Sequence, residues 1–354
     1  MENTDKKRFI TFLAVAYGVT VVMWVFMFIG LKAEKDLTAL VNVQMLYPAC
    51  GVVLGFLLFG DKEKKLPKAG FIVALITTVI MMVIGVVSVI AQQTWIDSAT
   101  GKITNWNLYS QYVVMAGSVI SYILFWACGK EKRKNAGLSR TNVKLSALLA
   151  LLFFVLFVAR IYVSVFVGQL ITNDGTNAIA ELNKAFFVPS TVTSVAILLV
   201  NFPLSYMVFW GEEYGWRYYL QPILQKKFGL RLGVLILGVV WGAWHLGLDY
   251  MFCTTTTGTL YFVSQVITCI ALGIFFGYAF MKTQNIWLVS LMHFMNNNFI
   301  VLFSGGDVNV MQNNTVTLIQ IPIAIISSLV FVVFILAPAY KGKKQEQLEE
   351  QNIA

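Results

Sequence analysis

The chain has 354 residues, of which 58% are hydrophobic and only 12% charged, with a formal net charge of +9. That composition excludes a soluble domain of this length and requires an all-α, polytopic membrane protein. The basic excess is spread over six separate segments, which excludes the concentrated patch of a nucleic-acid-binding or peripheral membrane protein.

A membrane span needs roughly 20 apolar residues. Ten stretches meet that requirement, at 9–31, 40–59, 70–91, 109–128, 145–170, 191–211, 232–252, 259–281, 286–303 and 315–339, of which the second and ninth are the least well defined. The expected architecture is therefore a transmembrane helical bundle of about ten spans, within a range of eight to ten. Counting Lys and Arg in alternate connections puts 21 on one side and 4 on the other, with Arg160 left inside a span. By the positive-inside rule both termini are then cytoplasmic. The first apolar run lacks a small-x-small cleavage pattern and reads as a retained span. Cys50, Cys128, Cys253 and Cys269 lie in or beside spans without CxxC spacing, so they are expected to pack as small hydrophobes.

Residues 1–190 form an N-terminal region of about five spans, a scaffold or partner surface, in which Arg160 is the one charge inside a span. Residues 191–303 concentrate the other unusual groups and read as a reactive core. A C-terminal span (304–340) and a polar cytoplasmic tail (341–354), expected to be disordered, complete the chain. The segment 217–231 alternates aromatic or aliphatic with basic residues and predicts a helix lying in the cytoplasmic interface.

Ionisable groups at membrane depth are costly and mark functional positions. Glu212 and Glu213 are about 100° apart on a helix, so they cannot share one role. Glu213 precedes Arg217 by four, the favoured ion-pair spacing, which leaves Glu212 as an unpaired carboxylate suited to general-base work. The chain has two histidines, each inside an apolar helix. His245 lies four after Trp241 and four before Asp249, on one helix face, so Asp249 is expected to accept the imidazole N–H. His293 and Asn297 are again four apart, and an imidazole with a carboxamide suits a developing oxyanion. The bland alternative for either histidine is an inter-helix hydrogen bond; two histidines with polar i+4 partners beside a free glutamate weigh against it. Asn296 and Asn298 face elsewhere, Asn201 and Pro203 mark a helix irregularity, and Arg160 is expected to snorkel or pair structurally.

A carboxylate base, a second proton-carrying group and an oxyanion clamp describe water attacking an amide carbonyl. Neither His-Glu-x-x-His nor an intramembrane Gly-x-Ser-Gly occurs, and no two spans carry facing aspartates. Zinc held by two histidines and Glu212 is a possible ligand set, which the spacing neither demands nor excludes.

Glu212-Glu213-x-x-x-Arg217, Trp241-x-x-x-His245 and His293-x-x-x-Asn297 resemble, in order and separation, the three motifs of the CPBP family of CAAX-processing and bacteriocin-processing intramembrane proteases. Leu220-x-Pro222 and the Gly273…Gly277 helix add to the likeness, which covers about 190–300. The resemblance implies that Glu212 and His245 activate water, that His293 and Asn297 hold the oxyanion, and that no metal or other cofactor is needed. It departs from the family at Trp241, where Phe is usual, a change expected to affect shape more than chemistry. Asp249 is not carried by the resemblance.

The sequence thus predicts an integral, multi-pass membrane peptidase cutting a peptide or membrane-protein substrate near the cytoplasmic face of a bacterial plasma membrane. Peptide maturation, bacteriocin self-immunity or control of a membrane sensor are the expected settings, and prenylated substrates are not expected there. A non-catalytic membrane scaffold is the rival; a proton-coupled transporter would show internal repeats, which are not evident. The predicted spans leave one conflict. His293 falls about 10 Å inside its span and His245 about 20 Å inside its own, so both can meet Glu212 only if a helix end is misplaced.

Overall fold

The computed structural model describes residues 3–342 apart from 62, 99–100, 173–176, 187 and 305–309; the polar tail beyond 342 lies outside the described residues. The chain runs through α1 (Asn3–Lys32), the bent pair α2 (Thr38–Gln44) and α3 (Tyr47–Phe59), and α4 (Lys68–Ile90). An antiparallel hairpin of β1 (Trp95–Ser98) and β2 (Gly101–Thr104) leads into α5 (Asn105–Ala127) and the short α6 (Lys130–Asn135). Then come α7 (Val143–Thr172), α8 (Ala178–Phe186), α9 (Thr191–Phe228), α10 (Leu230–Cys253), α11 (Gly258–Thr283), α12 (Ile286–Phe303) and α13 (Gln320–Leu336). Among the described residues, eight helices are long and apolar enough to cross a membrane, and nine if the bent pair is one span. The expected tenth span is the shorter α13.

The protein is therefore a multi-pass helical membrane protein. Its outer helix faces carry apolar side chains at helical spacing, such as Ile72, Ile76, Val79 and Val83 on α4, as a lipid-facing surface requires. Inside, one continuous cluster of buried residues extends from Phe12 to Phe331, so the first 190 residues share a core with the rest.

Hydrogen bonds gather the connections into two ends. At one, Asp36 bonds Gln93 and Thr104, joining the α1–α2 connection to the β-hairpin, while Asn314 N–H donates to Cys253 O, joining the α10–α11 and α12–α13 connections. At the other, Asn135 donates to Lys65 O, Tyr214 to Ala136 O, Trp287 to Leu138 O and Thr141 to Thr283 O. The second end holds the Lys- and Arg-rich segments.

The structure departs from the predicted spans at α9. This helix does not stop near residue 211 but continues to Phe228 through a π-helical turn at Tyr214–Leu220. Arg217 breaks the hydropathy pattern, yet it is wholly buried, and its burial in an ion pair lets the helix run on. There is thus no separate interfacial helix over 217–231. The glutamates sit 16 residues, roughly 24 Å of helix, from the helix end. The antiparallel α10 places His245 a similar 15 residues from its start at Leu230. His293, by contrast, follows the start of α12 at Ile286 by only two turns, and Tyr214, next to Glu213, reaches Ala136 O at the basic end. Helices α9 and α10 thus run on past the basic connections and the group lies just inside them, which removes the conflict in depth.

Candidate active site

The glutamates reach the interior because α9 approaches the α2–α3 junction closely. A Cβ on Gly211 would lie 2.4 Å from Met45 O, and one on Gly215 would lie 2.3 Å from the Pro48 ring. Two glycines four apart thus form the groove into which residues 45–48 fit, directly beside Glu212 and Glu213.

Glu212 and Glu213 have different partners. Glu212 Oε2 accepts from the indole N–H of Trp241 at 2.7 Å and from that of Trp216 at 3.4 Å. Glu213 turns away, its Oε2 3.1 Å from Arg217 Nε and its Oε1 2.9 Å from His293 Nδ1. Arg217 is completely buried with no aligned hydrogen bond among the described residues, so its contact with Glu213 is an ion pair. Its guanidinium stacks over the Trp241 ring at 4.5 Å and faces Phe276 at 5.6 Å, a cation–π arrangement worth roughly 2 kcal/mol when desolvated.

Trp241 is therefore a hub. Its ring lies 6.0 Å from that of His245 and 5.5 Å from that of His293, and its N–H holds Glu212. The expectation that Trp here changes shape more than chemistry is corrected: Phe has no such donor.

His245 sits where α10 loosens, after its regular part ends at Ala243. Its backbone N–H bonds Gly242 O, and the Trp241 carbonyl takes the imidazole Nδ1 at 2.9 Å. A carbonyl partner makes Nδ1 the protonated nitrogen, leaving Nε2 as an acceptor. The predicted His245–Asp249 hydrogen bond is absent. Asp249 is fully buried, and neither carboxylate oxygen has a hydrogen-bond partner among the described residues. Residues 245–249 do close a helical turn, with Asp249 N–H on His245 O at 2.8 Å, but the imidazole Nδ1 is taken by the Trp241 carbonyl one turn earlier and not by the carboxylate one turn later.

Asn297 is half-buried, and its Oδ1 accepts from Asn296 Nδ2 at 3.0 Å, which leaves its own amide hydrogens for other partners. Asn298 donates to Phe294 O.

One cavity of about 1020 Å³ is lined by Glu212, Trp241, His245, His293 and Asn297 together. Glu213, Arg217 and Asp249 are not among its lining residues. Arg160, expected to snorkel or pair structurally, donates to Thr268 Oγ1 at 3.0 Å and also lines the cavity. Among the described residues, no group of three or more His, Cys, Asp or Glu is arranged to hold a metal ion.

Several supports were not read from the sequence. Trp244, next to His245, donates to Ala16 O at 2.6 Å and to Thr20 Oγ1 at 3.0 Å, and its carbonyl accepts from Gln44. Thr20 and Gln44 interrupt apolar runs, which was the available signal. The Glu213–His293 contact spans 80 residues and left none.

Residues 190–299 match the family described as Type II CAAX prenyl endopeptidase Rce1-like. No curated protein and no solved structure matches the chain.

Proposed function

We propose that this chain, whose residues 190–299 belong to the Rce1-like family, is an intramembrane endopeptidase that uses Glu212 and His245 to activate water. The observation that carries the reading is the single cavity onto which Glu212, His245, His293 and Asn297 all open, with Glu212 held by indole N–H groups on one oxygen only.

In the proposed reaction, water sits between the second Glu212 oxygen and His245 Nε2. Glu212 takes a proton as the water oxygen attacks the carbonyl carbon of the scissile bond. The oxyanion is held by His293 and the Asn297 amide. His293 Nδ1–H is already given to Glu213, so an N–H at Nε2 requires the doubly protonated ring, for which Glu213 is the counter-charge. The tetrahedral intermediate then expels the amine as the C–N bond breaks. The proton held on Glu212 passes to that nitrogen, returning the carboxylate. Water and the peptide are the only reactants, and no cofactor enters the scheme.

The substrate is a peptide or membrane protein within the bilayer of a bacterial cell, where maturation of a secreted peptide, self-immunity or control of a membrane sensor would use such a cut. Glu212→Gln and His245→Ala are expected to abolish cleavage at unchanged membrane abundance, and a strong chelator is expected to leave the wild type active. Phenotypic activity that survives Glu212→Gln would instead support a scaffold. Chelator inactivation reversed by zinc would replace the metal-free scheme.

A further inference from the structure

The lining of the cavity has a direction. From Glu212 it extends to Thr38 and Asn42 at the start of α2, Asn107 and Gln111 in the first turns of α5, and Asn314 in the α12–α13 connection. All of these lie at the end gathered by Asp36 and Asn314. No described residue of the segments 61–68, 129–144 or 217–231, which belong to the Lys- and Arg-rich end, lines it. On α9 the lining runs from Asn201 to Glu212 and goes no further toward Phe228; on α12 it runs from His293 to Val301 and omits the first turns. Glu212 thus stands at the inner floor of a space leading the other way.

We propose that the substrate reaches Glu212 from the face opposite the basic segments, the non-cytoplasmic face under the positive-inside rule, as an extended and largely uncharged peptide segment. The proposal rests on the peptidase reading. Its chemical basis is the wall itself. Asn42, Asn107, Gln111, Asn201, Gln265 and Asn298 all contribute carboxamides, which both donate and accept and so match the alternating N–H and C=O of an extended backbone. Among the described residues, and apart from Glu212 and the two histidines, Arg160 is the only group lining the wall that is charged at neutral pH. A segment rich in charge would find little to pair with there.

Sidedness can be read without a substrate. Asn42→Cys and Gln265→Cys, each at wild-type abundance, are treated with a membrane-impermeant maleimide in right-side-out and in inverted vesicles. The labelled residue is identified by peptide mapping, so the native cysteines stay in place. Lys134→Cys, exposed at the basic end, marks the cytoplasmic face. Both cavity cysteines are expected to react only in the vesicle orientation that leaves Lys134→Cys unlabelled. Reaction only from the face that labels Lys134→Cys, or from neither face, would overturn the proposal. That result would leave the peptidase reading standing, whereas cleavage that persists in Glu212→Gln would remove the peptidase and leave the labelling unchanged.

Discussion

Glu212 and Glu213 are adjacent in sequence and opposite in circumstance, one facing a cavity and the other locked between an arginine and a histidine. Their separation could be read from helical geometry alone, because Arg217 at i+4 claims one carboxylate. The second partner of Glu213 could not, since nothing local reports a contact between helices 80 residues apart. Asp249 shows the opposite failure: i+4 spacing offered a contact with His245, but the imidazole Nδ1 bonds back to the Trp241 carbonyl instead. Two predictions belong to this scale. Trp241→Phe keeps the ring but removes the donor to Glu212. A hydrogen bond to a charged group is worth about 1.5–3 kcal/mol, so turnover should fall by about that barrier while abundance is unchanged; wild-type turnover would show that the indole N–H does not position the base. Glu213→Gln leaves a buried guanidinium unpaired, a loss of about 3–5 kcal/mol. It should lower thermal stability in detergent, and Glu213→Gln combined with Arg217→Met should recover much of it. A double variant no more stable than the single one would argue against the pair.

The helices themselves were largely legible, because a bilayer admits few ways to bury twenty apolar residues. The least legible was α9. Hydropathy ends it where Arg217 and the lysines begin, and the structure continues it because Arg217 is neutralised in place and Trp216 and Leu220 are buried. The π-turn at Tyr214–Leu220 adds a residue to the helix just beyond the glutamates, a departure often found at functional positions. The hairpin of β1 and β2 was also unforeseen, since two four-residue strands leave little pattern. The seat of α9 on residues 45–48 gives the prediction at this scale. Gly211→Leu drives a side chain into the Met45 carbonyl, with overpacking costs of about 1–3 kcal/mol, and should reduce both stability and activity. Retention of both would mean that the close approach of the two segments does not set the position of Glu212.

Across the whole molecule, the first 190 residues do more than support a core located elsewhere. Ala16, Thr20 and Gln44 hold the tryptophan beside His245, and Asn42, Asn107 and Gln111 form part of the cavity wall. The sequence division into scaffold and reactive half follows where ionisable groups fall, whereas the fold distributes the walls of the site over the entire chain. The reactive groups end up inside the bundle just beyond the basic connections, with Tyr214 and Trp287 bonded to Ala136 and Leu138 there, while α9 and α10 run on past them.

The account stands on hydrolysis by Glu212, and the most direct measurement is a comparison of the secreted and membrane-bound peptides of cells carrying the wild-type chain or Glu212→Gln at equal membrane abundance. The account predicts that at least one cleaved fragment disappears in the variant and that its uncleaved precursor accumulates in the membrane. Identical peptide sets from the two strains would contradict it.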